Sequence, residues 1–393
     1  MKWLYLISIL ILLEGIFLLL IIKIKNKNRK KINLTKNESA KYAIIIPARN
    51  ESKVIDGLLN SIKDNNVSFN DIYIVIEDEN DETVNIADKY GANIFVRKDL
   101  EERRRKGFAL DDIFKYLIKE HSYDLYFIFD ADNILDKNYI NEMIKTYKNG
   151  YKIATGYRNI KNSQNVITSC SGLTFSMINT LINKQINKMY GTIIISGTGY
   201  YITNDLIEAW QGFPFNTLTE DYELSLYASA NNISTYYNEL AEFSDEQPLD
   251  MKTSIKQRTR WVSGFFEARK KRLKDVTNDL GKLLGVTPII LILISVLFSL
   301  IFSIIKVIKD LISGNMNYII YLKRFLIIIV LVYISLFIFT LIILMKEKKR
   351  LNISTTLKIK TLLFNPIFLL TYIICLFKAI TTNVTWETID HGK

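Results

Sequence analysis

Long runs of Ile, Leu and Phe occupy the two ends of this chain and are missing from its middle. That distribution divides the molecule: the ends suit hydrocarbon, and the stretch from Lys41 to about Asp279 suits water. From Trp3 to Ile22 the sequence is apolar apart from Glu14, close to the ~20 residues a helix needs to cross a bilayer. The run leads straight into Lys23, Lys25, Lys27, Arg29, Lys30 and Lys31, so it reads as an uncleaved anchor rather than a signal peptide. Positive charge resists translocation, which puts this basic cluster and the domain after it in the cytoplasm. Glu14 is expected either to face protein or to sit protonated near an interface.

In the carboxyl third, Leu283 to Ile305 and Phe325 to Met345 each have spanning length and form a hairpin. Lys346, Lys348, Lys349 and Arg350 return its far end to the cytoplasm, although Lys306, Lys309, Lys323 and Arg324 in the loop weaken that charge argument. Leu362 to Phe377 is shorter and contains Pro366; it is expected to lie in the membrane interface, with a tilted span as the alternative. The expected organisation is an anchor (1–23), a basic linker (24–41), a cytoplasmic α/β domain (42–279), a membrane region (280–380) and a tail (381–393), in a multi-pass protein of the plasma membrane.

Composition removes several function classes. Cys170 and Cys375 are the only cysteines, so there is no disulfide framework and no cysteine-based zinc cluster. His121 and His391 are the only imidazoles, which gives little support to a Ser-His-Asp hydrolase or a multi-histidine metal site. The net charge of +11 is concentrated beside apolar segments, where anionic lipid head groups, not nucleic acid, are the simpler partner.

Within the middle, Ala43 to Ile46, Ile72 to Ile76, Asn93 to Val96 and Tyr123 to Phe129 read as buried strands. Ser52 to Asn65, Glu82 to Tyr90 and Lys106 to Lys119 between them have helical length and spacing. Such alternation predicts a parallel sheet with right-handed crossovers, with ligands beyond the carboxyl ends of the strands.

The polar residues fall at those ends. Asp130-Ala131-Asp132 follows the fourth strand, and two carboxylates on such a turn suit a hard cation shared with substrate phosphates. Turn-forming Asp and Asn would look the same in isolation. Glu77, Asp78, Glu79, Asp81 and Glu82 follow the second strand, where a solvated loop is the plainer reading. Pro47-Ala48-Arg49-Asn50-Glu51 follows the first, with Asn50 a candidate cap of the next helix. The convergence carries more weight than any single motif, because a nucleotide diphosphate and its metal need several oxygen and amide ligands together. Farther along, Thr219-Glu220-Asp221 precedes a helix, where Thr219 or Asp221 would serve equally as a cap. Gln257, Arg260 and Trp261 share one helical face. A guanidinium beside an indole can neutralise phosphate and offer a stacking surface, and the same residues would satisfy a basic helix on the membrane.

These motifs, together with Lys106-Gly107-Phe108-Ala109-Leu110, Ser196-Gly197-Thr198-Gly199 and Asp245-Glu246-Gln247-Pro248, have an order and spacing that resemble the inverting membrane glycosyltransferases. That family includes cellulose, hyaluronan and chitin-oligosaccharide synthases and bacterial poly-N-acetylglucosamine synthases. The resemblance runs from Tyr42 to about Arg269 and implies a GT-A fold, a Rossmann-like nucleotide-sugar domain inserted between an N-terminal transmembrane helix and a C-terminal transmembrane region. It further implies that Asp221 is the general base, that Asp130 and Asp132 hold Mg²⁺ or Mn²⁺, and that Asp78, Lys106 and Asp130 bind the donor. Pro47, Asn50, Glu51, Gly197 and Glu220 would complete the donor and acceptor sites, and Gln257, Arg260 and Trp261 would close over them. Arg105 departs from the pattern, standing where a glycine commonly precedes the lysine, and the acidic loop around Asp78 is one residue short. The implied partners are a nucleotide-sugar donor, probed first as a UDP-sugar, a polysaccharide or lipid-linked acceptor, and membrane lipids. With few membrane segments, a homodimer or accessory membrane protein would complete an export path. Competing expectations are a transferase adding one sugar to a lipid, and a non-catalytic scaffold or transporter.

Overall fold

The computed structural model describes residues 40–98, 100–278, 305–306, 308–310, 312–314, 318–351, 353–382 and 384. The expected anchor, Glu14, most of the basic linker and nearly all of the first hairpin arm (Leu283 to Ile305) lie outside the described residues.

Four apolar segments form strands β1 (Tyr42–Pro47), β2 (Ile72–Ile76), β3 (Asn93–Val96) and β4 (Leu125–Ile128). Helices α1 (Ile55–Asp64), α2 (Thr83–Tyr90) and α3 (Lys106–Glu120) connect them. These strands are mutually parallel in the order β3-β2-β1-β4. Alternation along β1 sends Ile44 and Ile46 into one apolar layer and Ala43 and Ile45 into another, so both sheet faces are covered.

The all-parallel expectation fails beyond β4. The chain continues through β5 (Ile134–Leu135), α4 (Tyr139–Lys148), β6 (Ile153–Ile160), α5 (Val166–Met177), α6 (Lys184–Tyr190), β7 (Tyr200–Thr203), α7 (Asn204–Trp210), α8 (Glu220–Ala230) and β8 (Thr235–Asp245). The finished sheet is mixed and eight-stranded, in the order β3-β2-β1-β4-β7-β6-β8-β5. β7 is antiparallel to both β4 and β6, because it enters from the Ser196–Gly199 turn at the carboxyl edge and runs back down the sheet. Glycine is required at Gly156 of β6, where a Cβ would lie 2.3 Å from the Ala241 carbonyl oxygen. Between Gly156 and Tyr157 the β6–β8 register jumps from Asn238 to Glu242, a bulge that re-aims the residues after it.

Helices α9 (Met251–Lys271) and α10 (Leu273–Asn278) close the domain, and α11 (Tyr318–Lys346), α12 (Thr355–Leu370) and α13 (Tyr372–Thr381) follow. Phe325–Lys346 and Thr355–Thr381 are long and apolar enough to cross a membrane. The second of these is 27 residues long, so the segment taken as short at Leu362 to Phe377 begins earlier, where Ser354 caps α12 through the Leu357 amide.

The apolar end joins the sheet domain. Ile343, Leu344, Leu351 and Ile353 pack on Ile160, Leu173 and Met177. Tyr157 of β6 donates a 2.5 Å hydrogen bond to the buried carboxylate of Glu347, and Thr180 donates a second.

Candidate active site

Adjacent parallel strands bring the ends of β1, β2 and β4 to one edge, as their polar residues anticipate. Pro47 ends β1 opposite Val75. Asn50 does not cap α1: it adopts φ 57°, its amide donates to Asp81 at 2.7 Å, and α1 starts later, after Val54, which makes no side-chain cap. Asn tolerates that left-handed backbone, so the residue forms the turn itself. The Glu51 amide donates to Thr83 Oγ1 at 3.0 Å, joining this loop to α2.

A cleft of ≈ 430 Å³ opens here, lined by Arg49, Asn50, Glu77, Asp78, Asp81, Leu100 and Arg104. Two guanidiniums occupy Glu77: Arg49 pairs with one carboxylate oxygen, and Arg97 with the other at 3.1 Å. Asp78 carries no such ion pair among the described residues and accepts from the Asn80 amide at 2.9 Å. Of the two carboxylates, Asp78 is the exposed one.

Lys106 opens α3 and reaches across the sheet edge. Its ammonium donates to Asp130 and, at 2.7 Å, to the Gly197 carbonyl. Gly107 permits that placement, since a Cβ there would lie 2.0 Å from the Phe215 carbonyl oxygen. Burial opposes the Lys106 charge, but Asp130, Glu220 and Asp221 outweigh it and raise its pKa. The Asp130 amide donates to Thr198 Oγ1 at 2.8 Å, and Asp132 accepts from Asn133 Nδ2 at 3.1 Å and from the Glu246 amide at 3.3 Å. Gly197, at φ 84°, faces two carboxylates: a Cβ there would lie 3.8 Å from Asp221 Oδ2 and 4.0 Å from Asp130 Oδ2.

Asp221 and Asp130 therefore both lie beside Gly197. Burial raises its pKa, while the Tyr222 amide, Lys106, Arg260 and Arg158 restrain the rise. Glu220 is pushed up to about 8 by burial and by Asp221 beside it. Thr219 occupies the cap position of α8 but makes no side-chain cap bond, and its buried hydroxyl has no hydrogen-bond partner among the described residues. The capping explanation of this motif thus loses Thr219.

Helix α9 carries Gln257, Arg260 and Trp261, all half-buried. One face of α9 packs into the domain, with Ser254, Arg258, Thr259, Gly264 and Ala268 buried. Arg260 Nε is buried and makes no hydrogen bond among the described residues. Trp261 meets Phe175 edge-on, with ring centres 5.6 Å apart. Arg105 bonds to Glu267 of α9 at 2.6 Å and to the Asn216 carbonyl at 3.1 Å, so the departure from glycine adds a clasp between α3, the Asn216 loop and α9.

Arg158 was not singled out by the sequence. From β6 it donates to the Ser196 carbonyl and to Asp245, within the electrostatic reach of Asp130 and Asp132. An arginine inside an otherwise buried strand was the available signal.

A family model described as "Glycosyltransferase like family 2" matches residues 40–264. The poly-beta-1,6-N-acetyl-D-glucosamine synthase of Staphylococcus aureus is 24% identical over 248 residues, covering 62% of this chain and 59% of that protein. The probable glycosyltransferase YdaM of Bacillus subtilis is 22% identical over 264 residues, 63% of each chain. The chain thus spans under two thirds of these curated relatives. Among solved structures, a mannosyltransferase from Pyrobaculum calidifontis, in complex with GDP-Man and Mn2+, superimposes with a TM-score of 0.59 at 12% identity, covering 96% of this chain and 99% of that one. The fold is accordingly GT-A-like.

Proposed function

Since the chain belongs to glycosyltransferase-like family 2, we propose that it transfers a sugar from a UDP-sugar, with inversion, to a growing β-linked polysaccharide at the cytoplasmic face of a membrane. The observation that carries this reading is the clustering of Asp130, Lys106, Gly197 and Asp221 at the sheet edge. The polymer named for the S. aureus relative supports a polysaccharide product.

The donor's nucleoside end enters the cleft beside Asp78, and its diphosphate lies toward Lys106 and Arg260. Asp221, its pKa raised by burial, takes the acceptor hydroxyl's proton as that oxygen attacks the anomeric carbon from the side opposite the diphosphate. The carbon–phosphate-oxygen bond breaks, and Lys106 and Arg260 offset the charge that develops on the leaving group. One displacement inverts the centre. Asp130 and Asp132 are the hard oxygen ligands that would hold Mg²⁺ or Mn²⁺; two carboxylates completed by donor phosphates fit such an ion. When bound, it supplies Lewis-acid stabilisation of the diphosphate. Trp261 offers the acceptor sugar a stacking surface.

The spanning lengths of Phe325–Lys346 and Thr355–Thr381 support membrane embedding. The test is a panel of radiolabelled nucleotide sugars on membranes containing the protein, with UDP release and product size measured. A long product from one UDP-sugar is expected. A single sugar on lipid would replace the polymer reading, and no nucleotide release from any donor would leave a scaffold.

A further inference from the structure

We infer that Arg158 and Phe175 are positioning residues for the acceptor, a buried guanidinium–ring support that holds the indole of Trp261 at its working tilt. The inference rests on the reading of Trp261 as the acceptor's stacking surface. The Arg158 guanidinium carbon lies 3.6 Å over the Phe175 ring centre. The same ring meets Trp261 at 73°, with ring centres 5.6 Å apart. Guanidinium, benzene ring and indole therefore form one relay from β6 through α5 to α9.

Each part is held so that it cannot drift. Phe175 is 5% exposed and Arg158 9%. The guanidinium is fixed at both ends of its fork, to the Ser196 carbonyl and to the Asp245 carboxylate. A buried cation needs such a partner, and the ion pair with Asp245 meets that need. The Phe175 face adds cation–π attraction, which strengthens when water is excluded. Arg158 stands two residues beyond Gly156, immediately after the bulge that re-aims β6.

Two consequences separate this support from ordinary core packing. Ser196 precedes Gly197, the residue facing Asp221 and Asp130, so the same guanidinium that steadies the ring under Trp261 also steadies the backbone beside those carboxylates. Acceptor seat and reaction centre are thereby registered to one group. A ring contact made edge-on also responds to ring width: Leu fills much of the volume of Phe but presents no flat edge and no π face.

The experiment compares Trp261→Ala, Phe175→Leu and Phe175→Tyr in the full-length protein, with the radiolabelled UDP-sugar that supports turnover in the panel. Sugar incorporated into product is divided by UDP released. Trp261→Ala is expected to lower this ratio, since water then competes for the donor. Phe175→Leu is expected to lower it at least threefold while UDP release continues, and Phe175→Tyr to restore it to within twofold of the parent. Continued UDP release shows that the variant is folded. A ratio unchanged in Phe175→Leu but lowered in Trp261→Ala overturns the support, as does an equal loss of both quantities in Phe175→Leu. A ratio unchanged in Trp261→Ala overturns the stacking role itself, and this inference with it.

Discussion

Gly264 of α9 lies so close to Thr219 that a Cβ on it would stand 2.5 Å from Thr219 Cγ2 and 2.7 Å from its hydroxyl oxygen. Helix α9, which carries Arg260 and Trp261, is thus seated directly on the residues that lead into Asp221. Gly264→Ala must push the two apart, an overpacking that costs on the order of 1–3 kcal/mol. Turnover should fall at least ~10-fold, since small misplacements of a reacting geometry are expensive. Near-parental turnover with an unchanged melting temperature would show that the contact can relax.

Asp221→Asn should bind donor about as well as the parent and lose turnover by ~10²-fold or more, the usual cost of removing a positioned base. Donor affinity is read by calorimetry and turnover by UDP release. Loss of donor binding with folding intact would make Asp221 a donor ligand instead.

Asp132→Ala and excess chelator should each abolish transfer, because the diphosphate then lacks its hard cation. Re-addition of Mg²⁺ or Mn²⁺ should restore the parent protein and not the variant. Full activity in excess chelator would refute the metal role.

Glu220 predicts a pH dependence of stability. Its folded pKa of about 8 lies above the ordinary 4.5, so the folded chain binds the extra proton between those values. The stability linked to that proton is complete below the unfolded value and is lost as pH rises through the folded one. With chelator present and donor absent, Glu220→Gln should raise the free energy of unfolding more at pH 8.5 than at pH 5, by on the order of 1 kcal/mol or more. A gain of equal size at both pH values would mean that Glu220 titrates normally.

The first half of the sheet was readable chiefly because its central strands are apolar runs, as in Ile72–Ile76 and Leu125–Ile128, and a buried parallel strand requires one. β7 was not readable, since its direction is fixed by the Ser196–Gly199 turn and by pairing with β4, whose partner residues run from Leu125↔Thr203 to Ile128↔Tyr200, not by local pattern. Asp130 could be named as a candidate from residue type and position, Asp221 and Lys106 through the family resemblance, and the structure brings them together. Asn50 was misjudged as a cap because a positive φ leaves no periodic trace. Arg158 was missed for a related reason. Its importance lies in partners at Ser196, Asp245 and Phe175, each on a different element, and no single window contains them.

The bond from Tyr157 to Glu347 joins residues 190 positions apart. A ribosome making this chain finishes β6 long before it makes Glu347, so the sheet must wait for the apolar hairpin end to be synthesised before this edge is sealed. A nascent or truncated chain ending ahead of Lys346 therefore lacks the last brace beside Arg158. Such a fragment would hold every motif residue from Pro47 to Trp261 without the Tyr157–Glu347 bond that ties β6 to the end of α11.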